Sequence, residues 1–102
     1  MDRDRALALL RAHQVELRAA GIESLSLFGS VARGDETNAS DVDVVIRLTP
    51  EASQGGFAYF GRLDALAKHL QDILGCPVDV VAAPVRKERL RRNIEREARL
   101  AF

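Results

Sequence analysis

The sequence has no tryptophan, a single cysteine, three prolines and no long hydrophobic run. Because Cys76 is alone, an intrachain disulfide is excluded, which fits a reducing compartment and makes the cytosol the expected location. The first five residues carry charges of both signs, and the apolar run that follows spans only 6–10. We therefore expect neither a signal peptide nor a membrane span. Fifteen basic and fifteen acidic residues cancel, so net charge indicates no nucleic-acid or membrane partner.

The length of 102 residues predicts one domain, 1–102. Hydrophobic spacing predicts helices over 4–20, 57–74 and 86–100, and strands over 23–28, 41–48 and 78–82. A helical turn at 30–34 and a polar loop at 35–40 complete the pattern. This order of elements predicts an α/β (α+β) fold, in which helices pack on a small mixed β-sheet.

Three further features have an expected packing role. His13 falls on the apolar face of the first helix, which predicts a packed core histidine. Phe57, Tyr59 and Phe60 are expected in the core, with an interaction surface as the alternative. The last helix has seven basic and three acidic residues over 86–99, which is typical of a solvated face, with a phosphate or acidic-partner contact as the alternative. Its inward residues are predicted to be Leu90, Ile94 and Ala98.

Carboxylates recur on two predicted strands. In Asp41-Val42-Asp43, the two acidic side chains are two residues apart, so they point to the same face of a strand, about 6.5–7 Å apart along it. Asp79 interrupts a run of valines, where an acidic residue is costly without a partner. Magnesium prefers such oxygen ligands, so a neighbouring strand that aligns Asp79 with the pair would create a metal site. Each feature alone also fits solubilising charge at a strand edge.

A glycine–serine turn precedes these carboxylates. Gly29 ends a predicted strand, and a missing Cβ lets backbone N–H groups approach phosphate oxygens. The Ser30 hydroxyl can donate another hydrogen bond, and Arg33 can neutralise phosphate or brace the carboxylates. The spacing of Gly29 and Gly34 is that of a P-loop, but Asp35 and Glu36 follow where lysine and serine or threonine are required. A Walker A loop is excluded.

Together these residues resemble a known signature. The run Gly29-Ser30-Val31-Ala32-Arg33-Gly34, followed by Ser40-Asp41-Val42-Asp43, resembles that of the DNA polymerase β-like nucleotidyltransferase superfamily, and above all its minimal nucleotidyltransferase (MNT) members. The resemblance extends to the strand around Asp79 and to the last helix. It implies a polymerase β-like core, with ATP as the substrate and Mg²⁺, in two ions, as the cofactor.

The resemblance also implies roles and a partner. Gly29 and Ser30 would hold the triphosphate, with Arg33 beside them. Asp41 and Asp43 would bind the metals, and Asp79 would be the third ligand and help to activate the acceptor. MNT proteins are commonly antitoxins that transfer AMP to a tyrosine of a HEPN-domain toxin, so a hetero-oligomer with such a toxin is implied, without membrane or direct nucleic-acid binding.

Three functional hypotheses remain open at this point. The first is a magnesium-dependent protein adenylyltransferase that acts as an antitoxin. The second is a binding module that masks its toxin by contact alone. The third is a nucleotidyltransferase acting on a small molecule, which the absence of an evident acceptor lobe in 102 residues disfavours.

Overall fold

A computed structural model describes residues 1–35 and 41–102 of the chain. Five helices and four strands are assigned within these ranges. The helices are α1 (Arg3–Ala12), α2 (Gln14–Ala19), α3 (Gly29–Arg33), α4 (Phe57–Leu74) and α5 (Glu88–Glu97). The strands are β1 (Ile22–Phe28), β2 (Val42–Leu48), β3 (Val78–Ala82) and β4 (Arg99–Leu100). Of the predicted polar loop 35–40, only Asp35 lies within the described residues.

The strands form one mixed sheet in the order β3-β2-β1-β4. β2 is antiparallel to β1 and parallel to β3, and β4 is antiparallel to β1. The parallel pair requires a long crossover, which α4 supplies between β2 and β3. The predicted fold class, a small mixed sheet with helices packed on it, is confirmed.

One face of the sheet is covered by helices, and we call it the core face. Along β2, alternate residues are buried in the core cluster, because successive side chains of a strand point to opposite faces. These are Val42, Val44, Ile46 and Leu48. Apolar residues of α1, α2 and α4, such as Leu10, Leu17 and Leu70, pack against them. The opposite side, which carries Asp43, Val45 and Arg47, is called the open face.

Two predicted helices differ from the structure. The first helix is not continuous to residue 20, because His13 has φ −104° and ψ 14° and separates α1 from α2. His13 is not a core residue: its Nδ1 contacts Glu16, and its side chain is 37% exposed. Glu16 also contacts Nε2 of His69 at 2.7 Å, and hydrogen bonds to the two imidazoles, that of His13 first, lower the pKa of this carboxylate.

The last helix ends at Glu97, before the predicted residue 100. Ala98 is extended and exposed rather than turned inward, and β4 then adds to the edge of β1. Arg11 of α1 stabilises this ending, because its guanidinium donates hydrogen bonds to the carbonyl oxygens of Leu100 and Ala101, both at 2.9 Å. A two-residue strand has too short a pattern to be distinguished by periodicity from the end of a helix.

Two aromatic residues at the start of α4 were wrongly predicted to be in the core. Phe57 is 96% exposed and Phe60 is 67% exposed, because both lie before the first buried turn of the helix. Leu66, Leu70 and Leu74 form the buried stripe instead. Within the described ranges, no helix is both long enough and apolar enough to cross a membrane.

Truncation of a buried leucine of α4 tests this packing. Leu70 is fully buried, so Leu70→Ala is expected to lower the free energy of unfolding by about 2–5 kcal/mol. Leu100→Ala is the matched control, since Leu100 is 61% exposed and the same truncation is expected to cost less than about 0.5 kcal/mol. Urea unfolding followed by circular dichroism measures both values. Equal losses in the two variants would contradict the assigned core.

Candidate active site

The two strands that carry the acidic residues lie side by side. In the parallel pairing of β2 with β3, Asp43 is directly opposite Asp79. Asp43 is also opposite Phe28, the last residue of β1. Since Val42 and Val44 point into the core, Asp43 points to the open face. Asp41 immediately precedes β2 and is exposed. The structure therefore brings the predicted carboxylates together at one end of the open face.

The electrostatics of this cluster are unfavourable without a cation. The pKa of Asp43 is raised, first by partial burial and then by the negative charges of Asp79 and Asp41. A direct interaction with the Asp79 carboxyl group raises it further, and Arg33 opposes the shift. Like charges this close disfavour ionisation unless a cation is bound between them.

Gly29 makes close contact with this cluster. Its φ is +75°, a left-handed conformation that favours glycine, and a Cβ built there would overlap the Asp43 carboxylate. The glycine is therefore required twice, once for the turn that follows β1 and once for the space beside Asp43.

Ser30 and Arg33 lie on the single helical turn α3. Ser30 follows Gly29 directly, at the end of β1 that is paired with Asp43. Arg33 forms ion pairs with Asp35 at 3.2 Å and with Glu97 of α5 at 3.0 Å, and these two acids raise its pKa, Asp35 first. Arg33 thus connects the turn to α5, and its charge still acts on Asp43.

The residues at this end of the sheet fit a magnesium site in their chemistry. They offer only carboxylate oxygens, the ligands that magnesium prefers, and their mutual repulsion would be relieved by a divalent cation. Within residues 1–35 and 41–102, however, no three acidic, histidine or cysteine side chains already converge as a ligand set. Ligation would therefore require side-chain rotation, which is open to the exposed Asp41 and Asp79.

A glycine–serine turn against paired strand carboxylates, on a small mixed sheet, defines the nucleotidyltransferase class of domain. Residues 11–101 match the family model described as the nucleotidyltransferase domain. The chain belongs to this family, and the resemblance to it is confirmed.

Named relatives specify the branch of the family. The protein adenylyltransferase MntA of Thermococcus cleftensis is 31% identical over 91 residues, which cover 88% of this chain and 86% of that protein. A candidate protein adenylyltransferase of Methanocaldococcus jannaschii is 34% identical over 74 residues, with 72% and 70% covered.

Solved structures agree with this branch. One described as a minimal nucleotidyltransferase superposes with a TM-score of 0.76 at 28% identity and covers 97% of this chain and 95% of its own. A complex of a tri-AMPylated HEPN toxin of Shewanella oneidensis with its MNT antitoxin matches with a TM-score of 0.61 at 17% identity, covering 94% and 71%. At that identity, the second match shows the fold alone.

Gly29→Ala tests the contact between the turn and Asp43. The left-handed φ predicts a loss of about 1–3 kcal/mol in unfolding free energy, and the added methyl group displaces Asp43, so nucleotidyl transfer should fall at least about tenfold. Gly34→Ala is the matched control, because its φ is +80° but, its chain neighbours apart, no atom of residues 1–35 or 41–102 lies within 4 Å of a Cβ built there. We expect similar destabilisation with activity retained. An active Gly29→Ala enzyme would contradict the role of this contact.

Removal of one negative charge should stabilise the metal-free protein. Because the folded-state pKa of Asp43 is raised, the contribution of this residue to stability is most favourable below its unfolded-state pKa and falls as the pH rises through the folded-state pKa. Asp43→Asn is therefore expected to raise the free energy of unfolding at pH 7 by about 0.5–1 kcal/mol, after allowance for solvent screening. The gain should vanish below about pH 4. Thermal unfolding in chelator across this pH range measures it, and a destabilised variant at pH 7 would contradict the repulsion.

Proposed function

We propose that the chain is a magnesium-dependent protein adenylyltransferase that acts as the antitoxin of a HEPN/MNT toxin–antitoxin pair. The observation that carries the proposal is the register of Asp43 against Asp79, with Gly29 beside them. The name of the MntA relative supports a protein as the acceptor of AMP, and the toxin-bound MNT structure supports a HEPN toxin as the partner. A cytosolic location is part of the same proposal, as expected for a chain with one cysteine.

The site residues divide the proposed reaction between them, and Asp79 has two roles in it. Gly29 and Ser30 bind the triphosphate of ATP, and Arg33 balances negative charge beside them. Asp41, Asp43 and Asp79 hold magnesium. When bound, magnesium would stabilise the charge that develops on the phosphate and pyrophosphate oxygens.

The transfer is an in-line displacement at the α-phosphate of ATP. The hydroxyl oxygen of a toxin tyrosine forms a new bond to the α-phosphorus, and the bond to the pyrophosphate oxygen breaks. Asp79 accepts the phenolic proton. It lies on β3, at one side of the three aspartates, and its side chain is exposed to an incoming acceptor. The products are AMP-tyrosine and pyrophosphate.

Labelled ATP tests the proposed activity directly. The chain, its HEPN partner, magnesium and α-labelled ATP are expected to give label on the partner. Asp41→Asn/Asp43→Asn should reduce labelling by at least about 10²-fold, because the ligands for the cation are lost. Asp72→Asn is the matched control, since this exposed aspartate lies on α4, on the other side of the sheet, and activity should be unchanged.

Other outcomes identify the competing functions. Full neutralisation of the toxin by the double variant, with no label from wild type, would make the chain an antitoxin that acts by binding alone. Label on a small-molecule hydroxyl, with none on the partner, would make it a small-molecule nucleotidyltransferase.

A further inference from the structure

A hollow of about 420 Å³ lies on the open face of the sheet. Its floor is formed by outward residues of the two central strands, namely Ser24, Ser26 and Val45. One wall is α5, through Arg91 and Ile94, and the other wall is the turn after β3. Ile94 is buried but lies outside the main core cluster, which agrees with its position on this side of the sheet.

The hollow approaches the active site along β2, although no carboxylate of the site lines it. Val45 is two residues beyond Asp43 on the same face, a separation of about 6.5–7 Å. A second hollow of about 370 Å³ shares Arg47, Ala83 and Pro84 with the first and continues to Pro50. The combined groove follows β2 from residue 45 to the end of the strand at residue 48, which is about 10 Å, and continues to Pro50, so it can hold several residues of an extended chain.

The charges in the first hollow have one sign. The charged residues that line it are Arg47 and Arg91, and no acidic residue of the described chain lines it, whereas Glu23 lines the second hollow together with Arg47. Neither guanidinium forms an ion pair with any carboxylate in residues 1–35 or 41–102. The remaining lining is small or apolar, which suits backbone and short side chains between charged contacts.

We propose that this groove binds the acceptor segment of the protein substrate as an extended chain, with an acidic side chain held between Arg47 and Arg91 a few residues from the accepting hydroxyl. The inference rests on the proposed function and specifies the sequence that the acceptor must have. Arg47 and Arg91 are then determinants of acceptor specificity, and they do not touch the reacting atoms.

The position of the groove suits in-line attack. β1 and β2 are antiparallel, so Gly29 follows the end of β1 at the level of Asp43, where β2 begins. The triphosphate turn is therefore at one side of Asp43, and the groove extends from the other side toward the end of β2. An in-line displacement needs the attacking oxygen and the leaving pyrophosphate on opposite sides of the α-phosphate. An acceptor that enters along the groove meets this requirement.

Peptide binding without ATP tests the inference separately from catalysis. The probes are two ten-residue peptides with one tyrosine, one with glutamates two and four residues from it and the other with glutamines there. Titration into ¹⁵N-labelled protein, followed by NMR, gives the dissociation constants and the amides that shift. We expect the acidic peptide to bind at least about tenfold more tightly and to shift the amides of Ser24, Ser26 and Val45.

Matched variants assign that preference to the groove. Arg47→Gln/Arg91→Gln should abolish the preference for the acidic peptide, with the dissociation constant for an ATP analogue unchanged. Arg89→Gln should keep the preference, because Arg89 lines a different, wholly polar surface of α5. Equal affinity for the two peptides, shifts confined to residues outside the groove, or weaker nucleotide binding in the double variant would overturn the inference.

The two proposals fail in distinguishable ways. Asp41→Asn/Asp43→Asn should still bind the acidic peptide, because the carboxylates lie outside the groove lining. If the chain binds the acidic peptide tightly but transfers no AMP, the proposed activity is contradicted and the proposed acceptor groove is supported. Transfer to the HEPN partner at unchanged acceptor KM in the arginine variant would support the activity and overturn the groove.

Discussion

The parallel register of β2 against β3 is the constraint on which the site depends. It sets Asp43 opposite Asp79, and the pairing of β1 with β2 sets Phe28, and hence Gly29, at the same level. A shift of one residue in β2 would turn Asp43 into the core and Val44 to the open face. The buried valines of β2 therefore do more than stabilise the sheet, because their burial fixes the direction in which the carboxylates point.

This arrangement costs stability where it gives function. The raised pKa of Asp43 reflects the cost of ionising a carboxylate that is, first, partly buried and, second, repelled by Asp79 and Asp41. The surrounding core offsets this cost through fully buried apolar residues on β1 and β2, such as Leu25, Leu27 and Val44. The same sheet therefore has a well-packed face that stabilises the fold and, on its other face, an end where charged aspartates destabilise it.

The sequence predicted those parts that have strong local patterns. β2, β3 and α4 have clear periodicity and matched closely, and the signature residues Gly29, Asp41, Asp43 and Asp79 fall at one end of the sheet as expected. The break at His13 and the exposure of Phe57 were not predictable, since both depend on which turn of a helix reaches the sheet. The groove was also missed, although the alternation of Asp43, Val45 and Arg47 already placed the arginine on the same face as the carboxylate.

The ion pair between Arg33 and Glu97 has a consequence for communication within the molecule. It joins the turn after β1, where we propose that the triphosphate binds, to α5, which is a wall of the groove. Any ligand that moves α5 changes the surroundings of Arg33, one helical turn from Gly29. A nucleotide that shifts this contact would change the affinity of the groove for the acceptor, and by linkage the acceptor would change the affinity for the nucleotide by the same factor. The two substrates of the domain would then bind cooperatively, through the packing of α3 on α5 that includes this ion pair.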